Sequence, residues 1–263
     1  MDPNIIESQL ADFIKWIDEQ PELPKNFDRI NLVRYLKASE FNLDEAKRLF
    51  RKSLQWRKAY PNIFTQRDAY SKEMSDLIKV IQYVPMPTRT SEHNRVSIVR
   101  LTDPNPDLID FNTVIKMFFM VADIRLASLD DIWSEGEIPI WDMSNITIRH
   151  FPKLVLSTMR LFMKYTQEAH PVKVVQLHII NCNALLNKGL AVVKPFLKKD
   201  VAERIHFHTP NSDTLYKYIP RHILPKDLGG TDNTLEFYQK IIHEYLGSYR
   251  DYLMDDERWR LNV

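Results

Sequence analysis

The hydrophobic period of this 263-residue sequence changes once, near residue 80, and that change most limits what the chain can fold into. Before it, apolar residues recur at helical spacing. After it come short runs rich in β-branched and aromatic residues: "VIQYVP" (80–85), "RVSIVRL" (95–101), "IPIWDM" (138–143), "VVQLHII" (174–180) and "RIHFHT" (204–209). Helical patterns over 111–128, 151–168 and 184–197 separate most of these runs, and another covers about 233–246. Alternation of strand and helix predicts an α/β layer with at least partly parallel strands. The single helix between "IPIWDM" and "VVQLHII" suits a right-handed crossover.

The first 75 residues read as a separate helical unit. Ile5, Ile6, Leu10, Phe13, Ile14 and Ile17 share a helix face, and "PELP" breaks that helix. "FDRINLVRYLKASEF" follows, with Ile30, Val33 and Leu36 expected inward. In "NLDEAKRLFRKSLQWRKAYP", Asn42 and Glu45 have capping-box spacing, and Pro61 is expected to end the helix. The expected organisation is a helical domain over 1–75, an α/β domain over 76–250, and a charged tail over 251–263 with no assigned role.

Composition removes several classes of chemistry. Lys and Arg number 36 against 35 Asp and Glu, so no global basicity points to nucleic acid. Five glycines, none in a Rossmann or P-loop arrangement, argue against nucleotide-dependent chemistry. One cysteine, Cys182, excludes an internal disulfide framework and fits a reducing compartment. The acidic, polar N-terminus does not read as a signal peptide, and no run of eighteen apolar residues exists. A cytoplasmic monomer with no cofactor is the expectation.

Two apolar segments stand out. On a helical wheel, Leu185, Leu186, Leu190, Val192, Val193, Phe196 and Leu197 fall within an arc of roughly 160°, opposite Asn187, Lys188 and Lys194. Gly189 lies inside that arc, and Pro195 should kink or end the helix. A core-covering helix explains the arc; a movable cover over a hydrophobic site explains the arc together with Gly189 and Pro195. The second segment, 114–129, runs Met117, Phe118, Phe119, Met120 and Val121 consecutively, so it is buried all round. Adaptable Met and Phe side chains also suit an irregular apolar ligand.

"RYLKASEFNLDEAKRLFRKSLQWRKAYPNIF" and "PVKVVQLHIINCNALLNKGLAVVKPFLKKDVAERIHFHTPNSDTLYKYIPRHILPKDLGG" together resemble the CRAL-TRIO (Sec14-like) lipid-transfer family, nearest to its tocopherol and retinaldehyde transfer branch. The resemblance spans about residues 28–247. It implies an N-terminal helical bundle on an α/β domain, with a mixed sheet flooring an apolar cavity and a mobile helix closing it. It implies a carrier that takes one hydrophobic molecule, tocopherol, retinoid or similar lipid, between membranes, and no enzyme. Cavity positions implied are Phe118, Phe119, Ala122, Ile140, Phe151, Val155, Leu177, Ile179, Leu190 and Val193. The implied gate is Leu186, Leu190, Val193, Pro195 and Phe196. A basic groove for a phosphoinositide head matches Arg48, Lys173 and Arg204, while Asp200 stands where the branch has a further basic residue. Lys and Arg near an apolar cover favour peripheral contact with anionic membranes, about 1 kcal/mol each. The alternative is a phosphoinositide-sensing module that moves no lipid.

Catalytic candidates are sparse. His206 and His208 share a strand face but lack an evident third metal ligand. Cys182 reads as packing. Asp142 has no partner acid, and no G-x-S-x-G elbow exists.

Overall fold

The structure, a computed structural model, describes residues 3–128, 134–182 and 194–262. The expected helix over 184–197 lies mostly outside these, and with it Leu186, Gly189, Leu190 and Val193. Its last residues, Lys194–Phe196, form a 3-10 turn.

Helices α1 (Pro3–Asp18), α2 (Arg29–Ala38) and α3 (Leu43–Ala59) pack around Leu10, Phe13, Ile17, Leu32, Tyr35, Leu36, Phe50 and Leu54. On α2 the inward face is Leu32, Tyr35 and Leu36; Ile30 and Val33 are half-buried. Asn42 caps α3 by accepting from the Glu45 amide at 3.1 Å. The reciprocal half of a capping box is missing, because the Glu45 carboxylate pairs with Arg48. Pro61 closes off α3 and itself opens α4 (Pro61–Phe64), where a missing N–H costs nothing. Helix α5 (Lys72–Leu77) leads into the sheet.

Among the described residues five strands follow in sequential spatial order: β1 (Ile81–Arg89), β2 (Arg95–Leu101), β3 (Glu137–Asp142), β4 (Leu177–Ile180) and β5 (Ile205–Phe207). β1 and β2 are antiparallel; the later pairs are parallel. Helix α6 (Phe111–Ala127) joins β2 to β3, and α7 (Leu156–Glu168) lies between β3 and β4. Short α8 (Lys199–Ala202) precedes β5; α9 (Leu235–Ser248) and α10 (Arg250–Met254) follow. The mixed α/β class expected from the sequence is the class observed. β1 is an edge strand, and α9 covers it: Gln239 Oε1 accepts from the Tyr83 amide at 3.1 Å, so an edge donor is not left open.

Strand alternation gives the sheet two unlike faces. One is a filled core of Val84, Val96, Ile98, Ile138, Ile140 and Ile180 beneath Leu215, Ile219, Ile223 and Leu224. The "LGG" turn seals this layer: Gly229 has φ +70°, and a Cβ on Gly230 would meet the Leu224 carbonyl oxygen at 1.8 Å. The other face looks at α6 and α7.

The tail is structural. Trp259 is buried and its ring lies 4.4 Å from the Arg57 guanidinium; Leu261 joins the N-terminal core, and the Asn262 amide donates to Glu22 at 2.8 Å.

Candidate functional site

Between the sheet and helices α6 and α7 lies a cavity of about 400 Å³, within the range of small-molecule sites. Its floor is Pro139 and Trp141 of β3 and Leu177 of β4, and its wall is Phe118 of α6 with Phe162 and Met163 of α7. Val172, Val174, Leu197 and Val201 continue the apolar lining, and Ala38 and Leu49 of the helical unit reach its edge. Two smaller chambers adjoin it, of about 50 and 150 Å³. Phe118 and Trp141 line all three spaces.

The run Phe118–Phe119 shows why α6 is apolar all round. Successive helical residues point about 100° apart. Phe118 stacks on Tyr83 over the sheet, ring centroids 5.0 Å apart at 11°, and faces the cavity. Phe119 is fully buried on the other side, packed on Phe64 and Tyr165.

The expected cavity positions therefore divide. Phe118 and Leu177 line the main space, and Ala122 lines the smallest chamber. Phe119 belongs to the aromatic core just described. Ile140 has to be corrected: it is fully buried on the opposite sheet face, and the cavity side of β3 carries Pro139 and Trp141. Ile179 shares Leu177's face and packs with Cys182 and Trp141, outside the cavity lining. Phe151 is half-buried in the 3-10 turn Ile148–Lys153, and Val155 caps α7, exposed; neither lines the cavity. Leu190 and Val193 fall outside the described residues. Of the implied gate, Pro195 is exposed, and Phe196 is half-buried against the α7 cluster.

The cavity's rim is charged but balanced. Lys173, Lys198 and Arg204 stand there with Glu40, Glu168 and Asp200. Arg204 lies 3.5 Å from Asp200, and Lys198 3.8 Å from Glu168. Arg48 is exposed on α3, paired with Glu45, and is not among the rim residues.

Sequence reasoning missed a buried ionic cluster beside the cavity. Asp123 of α6 accepts from Arg57 at 2.6 and 2.7 Å and pairs with Arg67; all three are buried. Burial alone would raise the Asp123 pKa. The two guanidiniums outweigh burial and hold it below the usual carboxylate range. Arg57 Nε also donates to the Tyr165 hydroxyl at 2.9 Å, which contacts Ser53 at 2.8 Å. A carboxylate inside a helix apolar on every side was the available signal, since such a charge needs a buried counter-charge.

The remaining chemistry candidates sit in structural roles. His206 and His208 meet a third imidazole, His178, across the β4–β5 pair; His178 Nδ1 is 2.9 Å from His208 Nε2. Burial, then the neighbouring imidazoles His208 and His206, lower the His178 pKa to about 3. Among the described residues no group of three or more His, Cys, Asp or Glu is arranged to hold a metal. Asp142 Oδ1 accepts from Asn181 at 2.8 Å and from the Ser144 amide at 2.9 Å, fixing the strand ends. The Cys182 thiol is buried and donates to the Ile179 carbonyl at 3.0 Å; burial raises its pKa.

Comparison with known proteins agrees with this geometry. The CRAL/TRIO domain model matches residues 80–230, and the Pinta-like, UBA domain model matches residues 2–74. The alpha-tocopherol transfer protein-like protein of Homo sapiens is 23% identical over 221 residues, covering 83% of this chain and 63% of that protein. Clavesin-2 of Homo sapiens is 26% identical over 200 residues, covering 76% and 61%. The chain thus spans under two thirds of the length of these relatives. The crystal structure of Sfh5 superposes with a TM-score of 0.55 at 14% identity, over 90% of this chain and 92% of that one, a likeness of fold. Because the CRAL/TRIO model covers the sheet, α6, α7 and the cavity they enclose, more than half of the sequence, the chain belongs to the CRAL/TRIO family of lipid-binding and lipid-transfer proteins.

Proposed function

We propose that this protein carries one hydrophobic small molecule, of tocopherol or retinoid size, and exchanges it at membranes without chemical change. The observation that carries this reading is the apolar cavity of about 400 Å³ between Trp141 and Leu177 below and Phe118, Phe162 and Met163 above. A sixteen-carbon isoprenoid chain gains about 13 kcal/mol from leaving water, at ~0.8 kcal/mol per CH₂. A closed carrier spares it that crossing.

The exchange route follows from the family resemblance: residues 186–196 act as the gate. The cavity rim does not favour a phosphoinositide head, because three carboxylates balance its three cations. The experiment is vesicle-to-vesicle transfer of a fluorescent tocopherol or retinol. Transfer that Leu177→Trp blocks by filling the cavity, and Leu190→Asp blocks at the gate, supports the carrier. Binding to acidic vesicles without movement of lipid in the wild-type protein would favour a membrane-sensing module.

A further inference from the structure

A carrier must distinguish its lipid from other oils, and the inner end of this cavity has the chemistry to do so. The chamber of about 50 Å³ behind Phe118 and Trp141 is lined by Ser97, Arg125, Glu137, Thr166 and His170 among others. The Arg125 guanidinium bonds Glu137 through both terminal nitrogens, 3.1 and 2.8 Å, and Ser97 donates to the same carboxylate. The two charges cancel. The Thr166 hydroxyl donates to the Phe162 carbonyl at 2.7 Å, which leaves its oxygen able to accept.

His170 lines both this chamber and the main cavity. Its Nε2 is shielded from solvent and has no hydrogen-bond partner among the described residues. Buried polar nitrogens are nearly always paired, and an unmade bond there is costly. Burial pushes the imidazole pKa down to about 4, so the ring is neutral at pH 7, with one nitrogen donating and the other accepting.

We propose that the cavity takes a lipid alcohol: a hydrocarbon body ending in a single neutral hydroxyl that enters the inner chamber and hydrogen-bonds His170 Nε2. The proposal rests on the carrier reading above. A hydroxyl both donates and accepts, so it satisfies Nε2 in either tautomer; an ether oxygen can only accept. A carboxylate would lose its hydration in a chamber where Glu137 has already neutralised Arg125. A phosphate-ester head would bring a charge into the same chamber and lose its hydration there, with no unpaired cation among the chamber's described lining residues to offset it.

The test uses the full chain, stripped of lipid, with retinyl, farnesyl and octadecyl bodies, each as free alcohol, methyl ether and carboxylic acid. Native mass spectrometry reads occupancy across a concentration series. The alcohols should bind about tenfold more tightly than their ethers and acids. His170→Phe should bring alcohol and ether to within about threefold by weakening the alcohol alone, while His170→Gln, which keeps a polar group, retains a preference. Equal binding of alcohol and ether by the wild-type protein overturns the proposal and leaves the carrier reading standing; so does a preference that survives His170→Phe. Should His170→Phe not fold, the wild-type ratio and His170→Gln still decide. No occupancy by any body in any form overturns both readings.

Discussion

Arg57 and Asp123 meet fork to fork, Nη1 to Oδ2 at 2.7 Å and Nη2 to Oδ1 at 2.6 Å, with 1% and 0% of their side chains exposed. The pair ties α3 of the helical unit to α6, whose neighbouring residue Ala122 lines the cavity system. This ionic joint, with Arg67 as its third member, ties the cavity wall to the N-terminal helices alongside Arg34 of α2, which donates to the Leu126 carbonyl at the end of α6 at 2.7 Å.

Removing the carboxylate leaves two buried guanidiniums facing each other. Asp123→Ala should destabilise the fold by about 3–5 kcal/mol, since breaking a buried pair exposes the full desolvation penalty of what remains. Urea denaturation measures it. A loss below about 1 kcal/mol would mean the cluster is solvated as an ordinary surface pair is.

The same carboxylate predicts an acid limb. Its folded pKa lies below the unfolded one, so its contribution is complete above about pH 4 and is lost as pH falls through the lower folded value. Melting temperature should drop steeply below pH 4 in the wild-type protein. Asp123→Asn, already weakened, should show a shallower slope there.

A second pH effect has the same sign and a higher window. His170 and His178 are held neutral, with pKa values lowered to about 4 and about 3, burial being the main cause in each. The unfolded chain takes up protons near pH 6.5 that the folded chain refuses. Stability is thus full above that pH and declines from 6.5 toward 4. His170→Phe should flatten this decline, by up to about 3 kcal/mol at pH 4 at 1.36 kcal/mol per unit. Identical slopes in the two proteins would show that His170 is hydrated.

Trp259 covers the ionic joint, 4.4 Å from Arg57 and 5.4 Å from Arg67. Trp259→Ala should cost about 3 kcal/mol, by opening a void and wetting the guanidiniums. Comparison of denaturation midpoints for Trp259→Ala and for an exposed control, Tyr70→Ala, checks it; equal midpoints would assign the tail no stabilising role.

Gly230 is a backbone-contact position. The Cβ of Gly230→Ala would lie 1.8 Å from the Leu224 carbonyl oxygen and 2.7 Å from that of Arg221, so the turn must shift. A loss of about 2–3 kcal/mol is expected, measured by thermal unfolding.

Much of the architecture was legible because period is a strong signal. The switch near residue 80 located the five described strands and the two helices that frame the cavity. Which face of each strand looks inward was not legible. β3 is apolar on both faces, as internal parallel strands are, so alternation could not tell Ile140 from its neighbours Pro139 and Trp141. The Arg57–Asp123 and Arg67–Asp123 pairs join residues 66 and 56 apart in the chain. No local pattern encodes such pairings, though the lone acid on α6 hinted that a partner existed. The tail's role was hidden for the same reason: Trp259 acts on α3, two hundred residues earlier.

The most direct measurement is the lipid content of the protein purified from its native source. Gentle native mass spectrometry followed by organic extraction should find one hydrophobic molecule per chain, lost when Leu177→Trp fills the space beside Trp141. A protein that arrives empty and takes up no tocopherol, retinoid, sterol or phospholipid from vesicles would contradict the account at its centre.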